Sequence, residues 1–369
     1  MSERALKILA VDDPAVFAYT DKSKGILERY GKPVDFEITL WSEYYAKMMD
    51  VFEGKASYDI VMIAGHLWAS DMVRKGFLAP LSYEDEDILP VISREMKYDG
   101  KTYLSPSFCD GHMIVYRKSV VKKALGSLPG DVITPEEYIR IAKLVYESEK
   151  KPSVAMKADS SEIFTDAIPF LRMRGADVYT ESGVDCDRSE IIEGLEAYCE
   201  LKAYALPGPD TFGNREVADA IRSGSAPLAI TWSGQMGVVM DGLEDSEDLG
   251  FATLSTAWNV TWSFAVSAKS DMKAEAEEFL GFLRSAETDR LAGETSGAPV
   301  RLSSYKAGAK DHPWYDCQVR MFENARPLLC GENAGDKNGV FYAEIAEAFA
   351  GRKTAQAAMR DAQAKIKSM

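Results

Sequence analysis

Histidine is scarce in this chain: His66, His112 and His312 are the only three in 369 residues. They are too scattered for a zinc site or a histidine-based nucleophile, so no metal and no cofactor is expected. Basic residues are also in deficit, 43 Lys and Arg against 58 Asp and Glu, for a formal net charge of −15. A surface of that sign repels phosphate backbones and anionic bilayers, and nucleic acid is not expected as a partner. No apolar run approaches the roughly 18 residues that a bilayer span requires. Residues 1–11 lack the apolar stretch and small-residue cleavage site of a signal peptide. That segment leaves a cytoplasmic protein and a mature exported one both open.

The five cysteines, Cys109, Cys186, Cys199, Cys317 and Cys330, form no C-x-x-C. Residues 189–202 read as one helix, which at 1.5 Å rise per residue holds Cys186 and Cys199 more than about 10 Å apart. Cys317 and Cys330 can join only if the chain turns back near Pro327; buried free thiols are the alternative. Also missing are the phosphate-binding G-x-x-x-x-G-K-[ST], the dinucleotide G-x-G-x-x-G, H-E-x-x-H and G-x-S-x-G. The expectation is a protein that is not an enzyme. A glycosidase working through a carboxylate pair stays open, because acidic residues are plentiful.

What is present is a chain long enough for two domains, 46% apolar and 27% charged. Its first half alternates strand and helix signals. Leu6–Val11 is an apolar run that stops at Asp12-Asp13-Pro14, and residues 34–40 and 58–64 read as two more strands. Ser42 is read as the cap of a helix over 43–52 that Gly54 ends. Such alternation predicts parallel strands with helical crossovers, an α/β sheet. Further on, 101–105 and 112–117 read as two extended pieces, separated by a Pro106-Ser107-Phe108-Cys109-Asp110-Gly111 loop. Thr134 with Pro135 marks a helix start, residues 226–231 and 261–268 read as strands, and two helices flanking Gly351-Arg352-Lys353 close the chain.

The order of several short segments resembles the family 1 bacterial extracellular solute-binding proteins, the maltose-binding-protein-like group. They are Tyr58-Asp59-Ile60-Val61 followed by Lys75-Gly76-Phe77-Leu78-Ala79-Pro80-Leu81, and Asp99-Gly100-Lys101-Thr102-Tyr103 followed by Met113-Ile114-Val115-Tyr116-Arg117-Lys118. Phe279-Leu280-Gly281-Phe282-Leu283 with Gly297-Ala298-Pro299-Val300-Arg301, and Phe349-Ala350-Gly351-Arg352-Lys353, complete the series. The chain departs from the family at Arg117, where Asn is usual, and at Asn259-Val260-Thr261-Trp262, where a Gly-Gly pair is common.

This resemblance implies a two-lobed periplasmic-binding-protein fold of type II, with lobes of 1–109 plus 260–309 and 111–258 plus 311–369. Three hinge crossings would fall near Asp110, Trp258 and Lys310. It also implies the monomeric, periplasmic or cell-surface binding protein of an ATP-binding-cassette (ABC) importer. Such a protein captures a small solute between its lobes and hands it to the transporter's membrane subunits. The solute is expected to be a mono- or oligosaccharide, with polyols, phosphorylated polyols and amino compounds as alternatives.

Candidate ligand contacts follow. Trp232 ends an apolar run, where an indole can lie against a sugar face; a core Trp capping the sheet is the other reading. Trp41, Trp258 and Trp262 also sit near predicted strand ends, and the last two, flanking Asn259, are spaced to face one side. Asp12, Asp13 and Asp110 offer carboxylates for hydroxyl pairs, and Arg301 a fork of donors; each can equally be a turn or ion-pair residue. Asp110 also matches a position where sugar-binding relatives carry an acidic residue. His66 closes the third strand, Phe108 lies in the crossover, and Phe164 is a second-lobe candidate that can equally be core.

Overall fold

The computed structural model describes residues 4–328 and 330–369, without the side chain of His66. Nine strands matter here: β1 Leu6–Val11, β2 Val34–Thr39, β3 Ile60–Ala64, β4 Ser105–Arg117, β5 Val132–Ile133, β6 Val154–Ala155, β7 Leu228–Trp232, β8 Leu249–Leu254 and β9 Asn259–Val266. The chain forms two compact units. One runs to Asp110 and takes in Met236–Val238 and Val260–Asp316; the other comprises Gly111–Gln235, Val239–Asn259 and Cys317–Met369.

In the first unit β1 pairs in parallel with β2 and β3, and β9 lies antiparallel to β3, with Trp262 opposite Ala64. The expected alternation of strand and crossover helix is thus present. β3 is buried at all five positions, as a strand covered on both faces must be. Asp13 caps helix Pro14–Thr20 by accepting from the Ala15 amide (2.8 Å), with Pro14 in the first turn. Helix Trp41–Glu53 buries Tyr44, Met48, Val51 and Phe52 along one stripe and ends at Gly54, whose φ of +84° suits glycine. Ser42 does not cap this helix: it begins at Trp41, with Leu40 in the cap position and no side-chain cap bond.

In the second unit β4 pairs antiparallel with β7 and β8, β6 runs parallel to β7, and β5 parallel to β8. Thr134 caps helix Pro135–Glu149 as the sequence predicts, accepting from the Glu137 amide at 3.2 Å. β4 corrects the sequence reading. Residues 105–117 form one strand buried at every position, with no loop at 106–111. The glycine that looks like a turn former is there for clearance: a Cβ on Gly111 would sit 2.3 Å from the Met321 sulfur and 3.0 Å from the Trp258 carbonyl. All five cysteines are free, Cys317 and Cys330 among them.

One carboxylate staples the first unit. Asp289, on helix Ala286–Ser296, is 3% exposed and accepts from the Val300 amide (2.9 Å), the Arg301 amide (3.3 Å) and the Ser304 hydroxyl (2.6 Å). Burial outweighs these bonds and pushes its pKa from 3.8 to about 6. The folded state therefore holds this proton more tightly than the unfolded chain. The associated stability is complete below the unfolded value and is lost as pH rises through the folded one. Asp289→Asn should remove this loss. Between pH 4 and pH 7 the wild type should lose on the order of 2–3 kcal/mol relative to the variant in urea unfolding. Parallel pH profiles for the two proteins would contradict this.

Candidate functional site

In the first unit several of the sequence candidates gather at the carboxyl ends of β1, β2 and β3, where ligands of open α/β sheets commonly bind. Asp12 Oδ1 accepts from the Trp41 amide at 3.0 Å, which ties the end of β1 to the start of helix Trp41–Glu53. Asp13 is buried, and its pKa lies well above the usual carboxylate range, through burial first and the charge of Asp110 second. Asp110 is buried as well. The sequence candidates Asp13 and Asp110 are therefore electrostatic neighbours.

Beside them is a block of aromatic rings. Trp41 stacks on Trp68 with centroids 5.7 Å apart and planes at 14°, and Trp262 stands edge-on to both at 5.7 Å. Phe108 stacks on Trp262 from behind at 6.3 Å. Tyr44 anchors the group: its hydroxyl accepts from the Met62 amide and donates to the Met62 carbonyl, both at 2.8 Å. Trp68, Trp262 and Phe108 are buried, and Trp41 is half-buried. Trp41 is thus the member of the block with surface left to offer. His66, whose side chain lies outside the described part of the structure, starts the second position of helix Gly65–Arg74.

Arg301 stands apart. Its guanidinium pairs with Asp85 and with Asp87 (3.0 Å), and its Nε donates to the Arg284 carbonyl at 2.7 Å. All of these partners lie in the first unit, and the arginine clamps the 84–87 turn.

In the second unit Trp232 is the last residue of β7 and lies opposite His112 of β4. Its indole stacks on that imidazole, centroids 4.0 Å apart and planes at 26°, with Trp258 edge-on at 5.8 Å. Lys157, just beyond β6, holds its Nζ 4.7 Å from the Trp232 ring centre. The Trp258 indole donates to His112 Nδ1 at 3.0 Å, which assigns the ring proton to Nε2. His112 Nε2 in turn faces Asp166 Oδ1 at 3.3 Å. The other Asp166 oxygen pairs with Lys157 Nζ at 3.3 Å, and Lys157 also meets Glu162 (3.3 Å) and Asn214 (3.0 Å).

Sequence reading did not single out His112, Lys157 or Asp166. The one available signal was a lysine directly after the apolar run Val154-Ala155-Met156, at a strand end. The structure also separates two candidates that the spacing grouped. Trp258 joins the second unit's cluster and Trp262 the first unit's block, because the boundary falls after Asn259. Asn259 is fully buried at the start of β9. Phe164 is core, stacked on Phe341 at 4.7 Å and edge-on to Tyr342. Among the described residues no group of three or more His, Cys, Asp or Glu side chains is placed to hold a metal ion. No helix among them is long and apolar enough to cross a membrane.

Solved structures share this architecture along its whole length. A maltose-bound MalE3 from T. maritima matches with a TM-score of 0.86 at 19% identity, covering 98% of this chain and 99% of that one. An ABC transporter solute-binding protein from Agrobacterium vitis with bound D-mannitol gives 0.85 at 20% identity, over 99% and 97%. One from Agrobacterium radiobacter in complex with ribitol gives 0.86 at 19% identity, over 99% and 98%. The fold is that of the two-lobed periplasmic binding proteins. Residues 18–289 match the model of the bacterial extracellular solute-binding protein family. The chain belongs to that family.

Proposed function

We propose that this protein is the substrate-binding component of an ABC importer, a carrier without catalytic activity that captures an uncharged polyhydroxylated solute, a carbohydrate or a polyol. The observation that carries the reading is Trp232, a flat indole fixed at the end of a buried strand by His112 stacked against it. An indole face matches the apolar C–H face of a sugar ring or carbon chain, and carboxylates such as Asp12, Asp13 and Asp110 accept hydroxyl pairs. The maltose, mannitol and ribitol bound by proteins of the same fold are all of this class. Trp41 is the corresponding aromatic of the first unit.

In this proposal each unit supplies half of the contacts, so a solute favours the closed form only by its differential affinity for it. The closed form then delivers the solute to the membrane subunits.

A thermal-shift panel of sugars and polyols identifies the ligand, since one that binds only the folded state raises stability by RT ln(1 + [L]/Kd). With that ligand, Trp232→Ala should weaken binding by on the order of 1–3 kcal/mol in calorimetry. Unchanged affinity would remove Trp232 from the site. Saturating ligand should also shrink the particle in small-angle scattering, and an unaltered profile would refute closure.

A further inference from the structure

We infer that Lys157 and Asp166 are positioning residues, which act through His112 and Trp232 to fix the orientation of the Trp232 indole; its value for recognition rests on the reading of Trp232 as a ligand contact. Both are buried in the second unit, the Lys157 side chain 0% exposed and that of Asp166 5%, against 8% for the Trp232 they support. A buried lysine is costly unless its charge is engaged, and this one is engaged twice over. It pairs with the carboxylates of Asp166 and Glu162, and it lies against the π-face of Trp232.

The contacts close a ring. Trp232 stacks on His112, His112 Nε2 faces Asp166, Asp166 pairs with Lys157, and Lys157 returns to Trp232. Each member comes from a different part of the chain: β7, β4, helix Ile163–Leu171 and the segment after β6. Trp258 fixes the imidazole tautomer, because its N–H takes His112 Nδ1 as acceptor, and the Nε2 side lies 3.3 Å from Asp166 Oδ1. Stacking alone permits the indole to slide or flip over the imidazole. A cation held at a set point over its ring by two carboxylates does not.

The test reads the indole directly, without a ligand. With 5-fluorotryptophan incorporated, the Trp232 resonance is assigned by its loss in Trp232→Phe. It should be a single sharp line in the wild type, and should split or broaden in Lys157→Met and in Asp166→Asn. Lys157→Arg, which keeps the cation, should restore the single line. An unchanged line in both Lys157→Met and Asp166→Asn would overturn the proposal. Should Lys157→Met fail to fold, Asp166→Asn and Lys157→Arg still decide it.

Calorimetry with maltose, D-mannitol and ribitol forms the second arm. For a probe that binds, Lys157→Met should weaken affinity about tenfold, as expected for loss of a desolvated cation–π contact. Combined with Trp232→Ala it should add little further, because both act through one indole. Additive losses would mean that Lys157 acts elsewhere. If Trp232→Ala alone leaves affinity unchanged, the ligand-contact reading fails, while the fluorine spectra still judge the positioning claim.

Discussion

A strand covered on both faces can meet a solute only at its ends, and the arrangement of this protein follows from that constraint. β3, β4, β7 and β9 are buried at every position. Most of their side chains serve packing, and the proposed solute contacts lie largely toward the ends of strands. Asp12 and Asp13 follow β1, Trp41 lies two residues after the end of β2, and Trp232 is the terminal residue of β7. Trp262 reaches the same end of the first unit's sheet because β9 runs antiparallel to β3, which sets it beside Ala64.

The two units hold their candidate aromatic rings in different ways: Trp41 is half-buried, and Trp232 is buried at the end of β7. In the first, Trp41 leans on other rings, Trp68 and Trp262, and these are held by a tyrosine whose hydroxyl is bonded to the backbone of β3. Dispersion and packing do the holding. In the second, Trp232 leans on an imidazole whose tautomer is set by a neighbouring indole, with a lysine–carboxylate pair behind it. There the support is electrostatic, and it works because burial keeps water from screening it.

Much of the fold was legible in the sequence. Alternating strand and helix signals predicted the parallel β1, β2 and β3, and the Thr134-Pro135 start and the two closing helices lie where patterning puts them. The family was legible from the order of short segments, none of them distinctive alone. What escaped depended on tertiary neighbours. Turn-like residues at 106–111 suggested a loop, but pairing and burial draw the whole segment into one strand. Arg301 offers a free fork of donors on paper, and in the structure Asp85, Asp87 and the Arg284 carbonyl occupy it. Phe164 reads as a candidate contact until Phe341, 177 residues later, is found stacked upon it. The Lys157–Asp166–His112 ring was invisible for the same reason, since cross-strand register and helix placement bring its members together.

The central claim, that the solute is met by residues at strand ends, is tested most directly by hydrogen exchange with and without the sugar or polyol that stabilises the protein. The account predicts slowed exchange in residues 11–13, 41–44 and 231–235, around the two aromatic supports. Slowing confined to peripheral helices such as Ala355–Lys367, with the strand-end amides unaffected, would contradict it.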